Sequence, residues 1–319
     1  MTELTISDIE RARRLTAPRV RRTPLERSRW LSSELGREVS LKLECFQTTG
    51  SFKLRGAIAH LCERGEQARE RGVLTVSAGN HGLAVAHASE ALGLRATIVV
   101  PRSASRAKVA GLRRYAVDTI ERGANYDEAE RAARLMERET GALFVSPYND
   151  PLVIAGQGTI ALEMLEDDPD LDAIVVPVGG GGLVAGIAIA AKAIKPGIKV
   201  YGAEPLASPT MSESLKRGRI VEIEEDETIA DGLSGNIEPG SITFPIVQSL
   251  VDAVILVSEE AVRDGVRRVA REDHLIIEGS AAVSVAALSS PELEGRKVAA
   301  VVTGRNITLD LFRRVTSDG

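Results

Sequence analysis

Aromatic side chains are scarce: five Phe, four Tyr and one Trp in 319 residues. That leaves no base-stacking platform, and a formal net charge of −5 supplies no basic face for a nucleic acid. Cysteine is nearly absent. Cys45 and Cys62 form no CxxC pair, no zinc-ligand spacing and no disulfide framework. Both read as buried free thiols, and a reducing, cytoplasmic compartment is expected. No secretory leader is expected, because the opening MTELTISDIE carries acids where a signal peptide carries a basic and then an apolar stretch. Long hydrophobic runs are missing with one exception. Ala173 to Ala191 holds no charge over 19 positions, near the length of a membrane span. It contains Pro177 and the glycines Gly179, Gly180, Gly181, Gly182 and Gly186. It therefore reads as a buried strand, a glycine loop and a buried helix, and no membrane partner is expected. Solenoid repeats, low-complexity tracts and flexible linkers are missing too.

What remains is strand–helix alternation over a length that fits two domains. Strands are predicted at Val39–Cys45, Val73–Val76, Ala96–Pro101, Asp118–Arg122, the segment ALFVS, Asp172–Val178, Lys199–Ala203, AVILVS and VAAVV. Helices are predicted at Lys53–Gly72, His81–Gly93, Ser103–Tyr115, Tyr126–Thr140, Pro151–Leu165, Leu183–Ile194 and Glu259–Glu272, with one more at the end. Apolar strands alternating with helices imply parallel sheets covered on both faces. Ligands in such folds bind beyond the carboxyl ends of the strands, so the residues just after the strands are the ones to read.

Four segments stand out there. In Thr49-Gly50-Ser51-Phe52-Lys53, a lysine opens a helix, where the dipole disfavours a cation. Such a lysine is either solvated or meant to be neutral, as a Schiff-base former needs. Ser77-Ala78-Gly79-Asn80-His81-Gly82 follows a strand and opens a helix; it is an anion site or an ordinary cap. His81 fits a capping or packing role better than that of a general base. Pro177-Val178-Gly179-Gly180-Gly181-Gly182-Leu183 has more glycine than a tight turn requires, and with the following helix it makes a phosphate cradle. No Lys-Ser/Thr follows, so it is not a Walker A loop. Gly180, Gly182 and Ala185 do match GxGxxA, with Glu204 after the next strand, which leaves a nicotinamide-dependent oxidoreductase open. The fourth segment, Val301-Val302-Thr303-Gly304-Arg305-Asn306, brings a hydroxyl to a strand end.

Together the four segments resemble the fold-type II pyridoxal-phosphate enzymes, and among them the serine/threonine dehydratases and serine racemases. The resemblance runs from Arg22-Thr23-Pro24-Leu25 to Thr303-Gly304-Arg305-Asn306, through Val153-Ile154-Ala155-Gly156-Gln157-Gly158-Thr159 and Gly202-Ala203-Glu204-Pro205. It implies a tryptophan synthase β-like α/β fold of two open, twisted, mostly parallel sheets. The large cofactor-binding domain is expected at 1–71 and 150–319, and the small domain at 72–149. Pyridoxal 5′-phosphate is the implied cofactor. Lys53 matches the Schiff-base and catalytic lysine, and Phe52 lies against the ring. Asn80 hydrogen-bonds the ring hydroxyl, and Thr303 pairs with the ring nitrogen. Gly179, Gly180, Gly181, Gly182 and Leu183 hold the phosphate. Ser77, Gly79, Asn80 and His81 hold the substrate carboxylate. A neutral partner for the ring nitrogen makes a milder electron sink, which favours prompt loss of a β-substituent.

The implied reaction is α,β-elimination from a β-hydroxy-α-amino acid. The lysine amine takes the Cα proton, the hydroxyl leaves, and hydrolysis gives a 2-keto acid and ammonia. Threonine, serine, β-hydroxyaspartate and phenylserine all remain open as substrates. Three departures from the pattern matter. Ala78 lies where serine racemases carry the serine that acts as opposite-face base, which places a dehydratase above a racemase. Thr210 replaces the aspartate of cation-dependent racemases, so no metal site is expected near Glu204. Arg305 replaces a usual glycine; it either faces solvent, the preferred reading, or reaches the substrate end and selects an acidic or bulky side chain, with strain if that position needs a positive φ. The chain stops soon after its last helix, so no regulatory domain for amino-acid feedback is expected, which favours a catabolic enzyme. The resemblance also implies a homodimer.

Overall fold

The computed structural model describes residues 4–317. The chain begins with α1 (Ile6–Thr16), β1 (Leu25–Arg27), α2 (Arg29–Leu35), β2 (Glu38–Lys42), α3 (Lys53–Glu63) and α4 (Gly65–Arg71). It continues through β3 (Val73–Val76), α5 (Asn80–Ala91), β4 (Ala96–Val100), α6 (Arg106–Leu112), β5 (Asp118–Glu121), α7 (Tyr126–Thr140) and β6 (Leu143–Phe144). There follow α8 (Pro151–Asp167), β7 (Ala173–Pro177), α9 (Gly182–Ile194), β8 (Lys199–Pro205), α10 (Thr210–Arg217) and α11 (Thr243–Leu250). The chain closes with β9 (Ala253–Val257), α12 (Glu259–Glu272), α13 (Gly279–Ala287), β10 (Lys297–Val301) and α14 (Leu309–Ser317).

The strands form two sheets. The larger has the order β1-β2-β10-β7-β8-β9 and is parallel except for the edge strand β1, which runs antiparallel to β2. The smaller, β5-β4-β3-β6, is parallel throughout. Both faces of the larger sheet are covered, as its continuous apolar strands require. Ile9, Ile154, Ile160, Val184 and Ile187 from α1, α8 and α9 pack on one face. Val262, Val266, Val269 and Val283 from α12 and α13 pack on the other. The smaller sheet is covered by α3 and α5 on one side and by Ala129 and Ala133 of α7 on the other. This is the α/β architecture expected from the sequence.

Close helix contacts fix the frame of the site. A Cβ on Gly156 of α8 would lie 2.6 Å from the Arg55 carbonyl oxygen of α3. One on Gly158 would lie 2.7 Å from the Gly186 carbonyl oxygen of α9. Backbone thus meets backbone from α3 to α8 and from α8 to α9, and α8 ties the helix that opens with Lys53 to the helix that follows the glycine loop.

Among the boundaries that differ from the sequence expectation, three have a clear local cause. The strand predicted to Cys45 leaves the sheet after Lys42, because Glu44 turns inward to meet Arg55. The single helix predicted over Lys53–Gly72 breaks at Arg64 (φ −96°, ψ 16°), just before the poor helix former Gly65. The helix predicted over Ser103–Tyr115 shortens to α6, whose N-cap Ser105 accepts from the Lys108 N–H at 3.3 Å. Both cysteines are free thiols; Cys45 is buried as expected, whereas Cys62 is only half-buried. No helix among the described residues is long and apolar enough to cross a membrane.

Candidate active site

The four segments singled out in the sequence follow the carboxyl ends of β2, β3, β7 and β10. Backbone contacts tie the first to the fourth. Ser51 bridges Gly304 in antiparallel fashion. The Phe52 N–H donates to the Thr303 carbonyl at 3.0 Å, and the Arg305 N–H donates to the Gly50 carbonyl at 2.9 Å. The second segment joins them through Asn80, whose Oδ1 accepts from Asn306 Nδ2 at 2.6 Å.

Lys53 stands at the first turn of α3. Its Nζ donates to the Pro147 carbonyl at 2.8 Å and lies 5.1 Å from the centroid of the Phe52 ring. Burial brings the amine down to about 8, against the opposing pull of the Glu278 charge. A substantial neutral fraction near neutral pH is what a nucleophilic amine needs.

The glycine loop runs into α9. Gly181 sits at φ +86°, a left-handed conformation that side chains avoid. A Cβ on Gly180 would lie 2.5 Å from the Tyr148 ring, so that position excludes any side chain. The Gly180 carbonyl accepts from the Thr243 hydroxyl at 2.7 Å, which pins the loop from behind. The Ala185 N–H to Gly181 carbonyl bond, at 2.9 Å, leaves the N–H groups ahead of Ala185 without an intrahelical acceptor. Leu183 is buried in the core beneath the loop.

At the second segment, the Ser77 hydroxyl accepts from the Gly79 N–H at 3.0 Å. The His81 imidazole is buried and meets the Val145 carbonyl at 3.0 Å. Burial and the nearby Lys53 push it down to about 3. The ring is therefore neutral and donates to Val145, which leaves the His81 backbone N–H as the group free to meet an anion. Thr303 is buried, and its hydroxyl has no hydrogen-bond partner in the protein. A buried hydroxyl without a partner calls for one from outside the chain. This orphan hydroxyl, the glycine cradle and the half-buried amine together fit a planar, phosphorylated, aldehyde-bearing cofactor.

Several contributors were invisible in the sequence. Glu278 is buried and accepts from Asn80 Nδ2 at 2.6 Å. Burial first and Asp231 second push its carboxyl up to about 7. No motif surrounds it, and its only local signal is its place ahead of Gly279, the first residue of α13. Tyr148 walls the glycine loop, and its hydroxyl accepts from the Glu238 N–H at 2.9 Å. Arg305 is exposed, 5.7 Å from the centroid of the Phe46 ring. It is also free of the anticipated strain, since His274 is the one non-glycine residue at positive φ among the described residues.

The dinucleotide alternative is corrected here. Glu204 does not face a ribose. Its carboxylate accepts from Met211 N–H at 2.8 Å, Ser212 N–H at 2.9 Å and the Ser212 hydroxyl at 2.7 Å, which caps α10. Both oxygens are thereby committed.

Residues 16–304 match the family described as pyridoxal-phosphate dependent enzymes. An L-threonine ammonia-lyase of Thermotoga maritima is 43% identical over 317 residues, covering 99% of this chain and 79% of that protein. Among solved structures, maize serine racemase superposes with a TM-score of 0.92 at 37% identity, covering 98% of this chain and 97% of its own. The processed form of threonine deaminase isoform 2 from Solanum lycopersicum gives a TM-score of 0.91 at 32% identity, covering 98% of this chain and 92% of its own.

Proposed function

Because the chain belongs to the pyridoxal-phosphate dependent enzymes, we propose that it is an ammonia-lyase that converts a β-hydroxy-α-amino acid of the threonine or serine type to a 2-keto acid and ammonia. The observation that carries this is Lys53: a half-buried amine, low in basicity, beside the glycine cradle and the partnerless Thr303 hydroxyl. Relatives named L-threonine ammonia-lyase, one of them 43% identical, support the choice of reaction. Ala78 supports a lyase over a racemase, since it offers no hydroxyl or amine to serve the opposite face of Cα.

Pyridoxal phosphate, when bound, supplies an electrophilic carbonyl and an electron sink for the substrate. The chain does the rest. N–H groups of Gly179 to Gly182, at the positive end of α9, hold the phosphate. The Phe52 ring would pack at the cofactor's side, and the partnerless Thr303 hydroxyl would meet the ring nitrogen. Asn80 meets the ring oxygen. The Ser77 hydroxyl, itself held by the Gly79 N–H, and the N–H groups of Asn80 and His81 hold the substrate carboxylate at the start of α5. Lys53 Nζ takes the proton from Cα as general base. The Cα–H electron pair forms the Cα=Cβ bond and expels the β-hydroxyl, which leaves as water with the proton that Lys53 has taken, and a second water then replaces the nitrogen at Cα and releases ammonia. The smaller sheet, confined to residues 73–144, supports taking 72–149 as a small domain and 1–71 with 150–319 as the large one. We take the working form to be a cytoplasmic homodimer.

The test is a panel of threonine, serine, β-hydroxyaspartate and phenylserine, scored for 2-keto acid and for chirality of the remaining amino acid. At least one substrate is expected to yield keto acid and ammonia in equal amounts, faster than any D-isomer accumulates. D-isomer in excess of keto acid would make the enzyme a racemase, and no keto acid from any of them would overturn the proposal.

A further inference from the structure

Glu278 lies outside every segment the sequence points to, yet it touches two of them. Its Oε1 accepts from Asn80 Nδ2 at 2.6 Å, and its Oε2 accepts from the Asn306 backbone N–H at 3.1 Å. A Cβ on Gly304 would lie 2.4 Å from Oε1, so glycine at 304 lets the carboxylate in. The other end of Asn80 meets Asn306 Nδ2 at 2.6 Å, and that same Nδ2 donates to the Thr49 carbonyl at 2.9 Å.

These contacts fix orientation by elimination. A backbone carbonyl only accepts, so the amide nitrogen of Asn306 must face Thr49. Asn80 must then turn its oxygen to that nitrogen, and its own nitrogen to Glu278. One N–H of Asn80 is used by the carboxylate, and the second is left to offer. Both groups that reach Glu278 are donors. A carboxylate accepts from both, whereas a glutamine or a protonated glutamic acid turns a donor toward one of them.

We propose that Glu278 is a positioning residue: as a carboxylate it locks Asn80 with its free N–H directed at the oxygen substituent of the bound cofactor ring. This rests on the assignment of cofactor and Asn80 under Proposed function. The charged and titratable groups around Glu278 are Asp231, its partner Lys108 on α6, Lys53 on α3, and Arg305 and Cys45 beside the β10 segment. Burial and Asp231 raise the carboxyl to about 7, while the Asn80 and Asn306 donors and Lys108 oppose them. The lock is therefore set above that pH and released as pH falls through it.

The experiment titrates apo-protein with pyridoxal phosphate and follows the visible band from about pH 6 to about pH 9. It compares the parent with Glu278→Gln, Asn80→Ala, the double variant and Asn306→Ala. Glu278→Gln is expected to weaken cofactor binding about tenfold, the scale of one charge-assisted hydrogen bond. It is also expected to abolish a spectral transition that the parent shows near neutrality. The double variant should bind no more weakly than Asn80→Ala alone. Glu278→Gln with parental affinity and a parental spectral transition overturns the proposal. Should that variant fail to fold, Asn306→Ala, which frees the other end of Asn80, must weaken binding in the same direction, and parental affinity there overturns it equally. A parent that binds no cofactor overturns the family assignment of the site instead, so the two failures are distinct.

Discussion

Lys53→Ala folds as the parent does and releases 2-keto acid at about one ten-thousandth of the parental rate or less. One side chain carries that much because the substitution removes both the nucleophile for the cofactor and the base for Cα, and general-base catalysis alone is worth ~10²–10⁴. The cost to stability is small. Nζ makes one protein hydrogen bond, to the Pro147 carbonyl, worth about 1 kcal/mol net, and its removal also relieves a half-buried amine of its desolvation. Lys53→Arg is expected to fail as well, since a guanidinium stays charged at any working pH. With the amine at about 8, its neutral form grows as pH rises toward that value. Cofactor uptake by the apo-protein should therefore accelerate with rising pH and level off above it. Steady-state keto-acid release, circular dichroism and stopped-flow absorbance check the three statements.

Arg55→Met lowers stability by about 3–5 kcal/mol, the range for stranding a buried charge by removing its partner. Arg55 is fully buried two residues after Lys53. It donates to Glu44 through Nε at 2.9 Å and Nη2 at 2.8 Å, and to Glu163 through Nη1 at 2.7 Å and Nη2 at 2.9 Å. Lys42 Nζ donates to Glu163 at 2.7 Å and to the Thr23 carbonyl at 2.7 Å. Two cations thus balance two anions in a closed cluster that joins β2, α3 and α8. Without Arg55, Glu163 keeps Lys42 and Glu44 is left with no cation beside it. The expected fall in melting temperature is on the order of 10 °C, read by calorimetry. Arg55→Met combined with Glu44→Gln should lose less than the separate effects summed, because Glu44 is the carboxylate paired with Arg55 and not with Lys42, and the second change removes that stranded charge.

Legibility in the sequence followed local chemistry. β3, α7 and α12 start and stop where their apolar patterning and caps say, since those signals are contiguous. The four strand-end segments were visible because glycine, serine and asparagine after an apolar strand mark loops with a purpose. Glu278 and Arg55 were not visible, because each gains its role from partners far away in the chain. Asn80 reaches Glu278 across 198 positions, and Arg55 reaches Glu163 across 108. The helices α1, α2, α10, α11 and α13 and the edge strand β1 are not predicted from the sequence for a related reason, since tertiary packing stabilises short elements more than propensity does. The GxGxxA match of Gly180, Gly182 and Ala185 misled because such a spacing serves any phosphate at a helix start; only the capping bonds of Glu204 show that its acid is already occupied.

Borohydride reduction of the cofactor-loaded protein, followed by peptide mapping, is the most direct test of the assignment of Lys53. The predicted result is loss of the visible band with a pyridoxyl group on Lys53 alone. A label on any other lysine, or a protein that takes up no pyridoxal phosphate to be reduced, contradicts it.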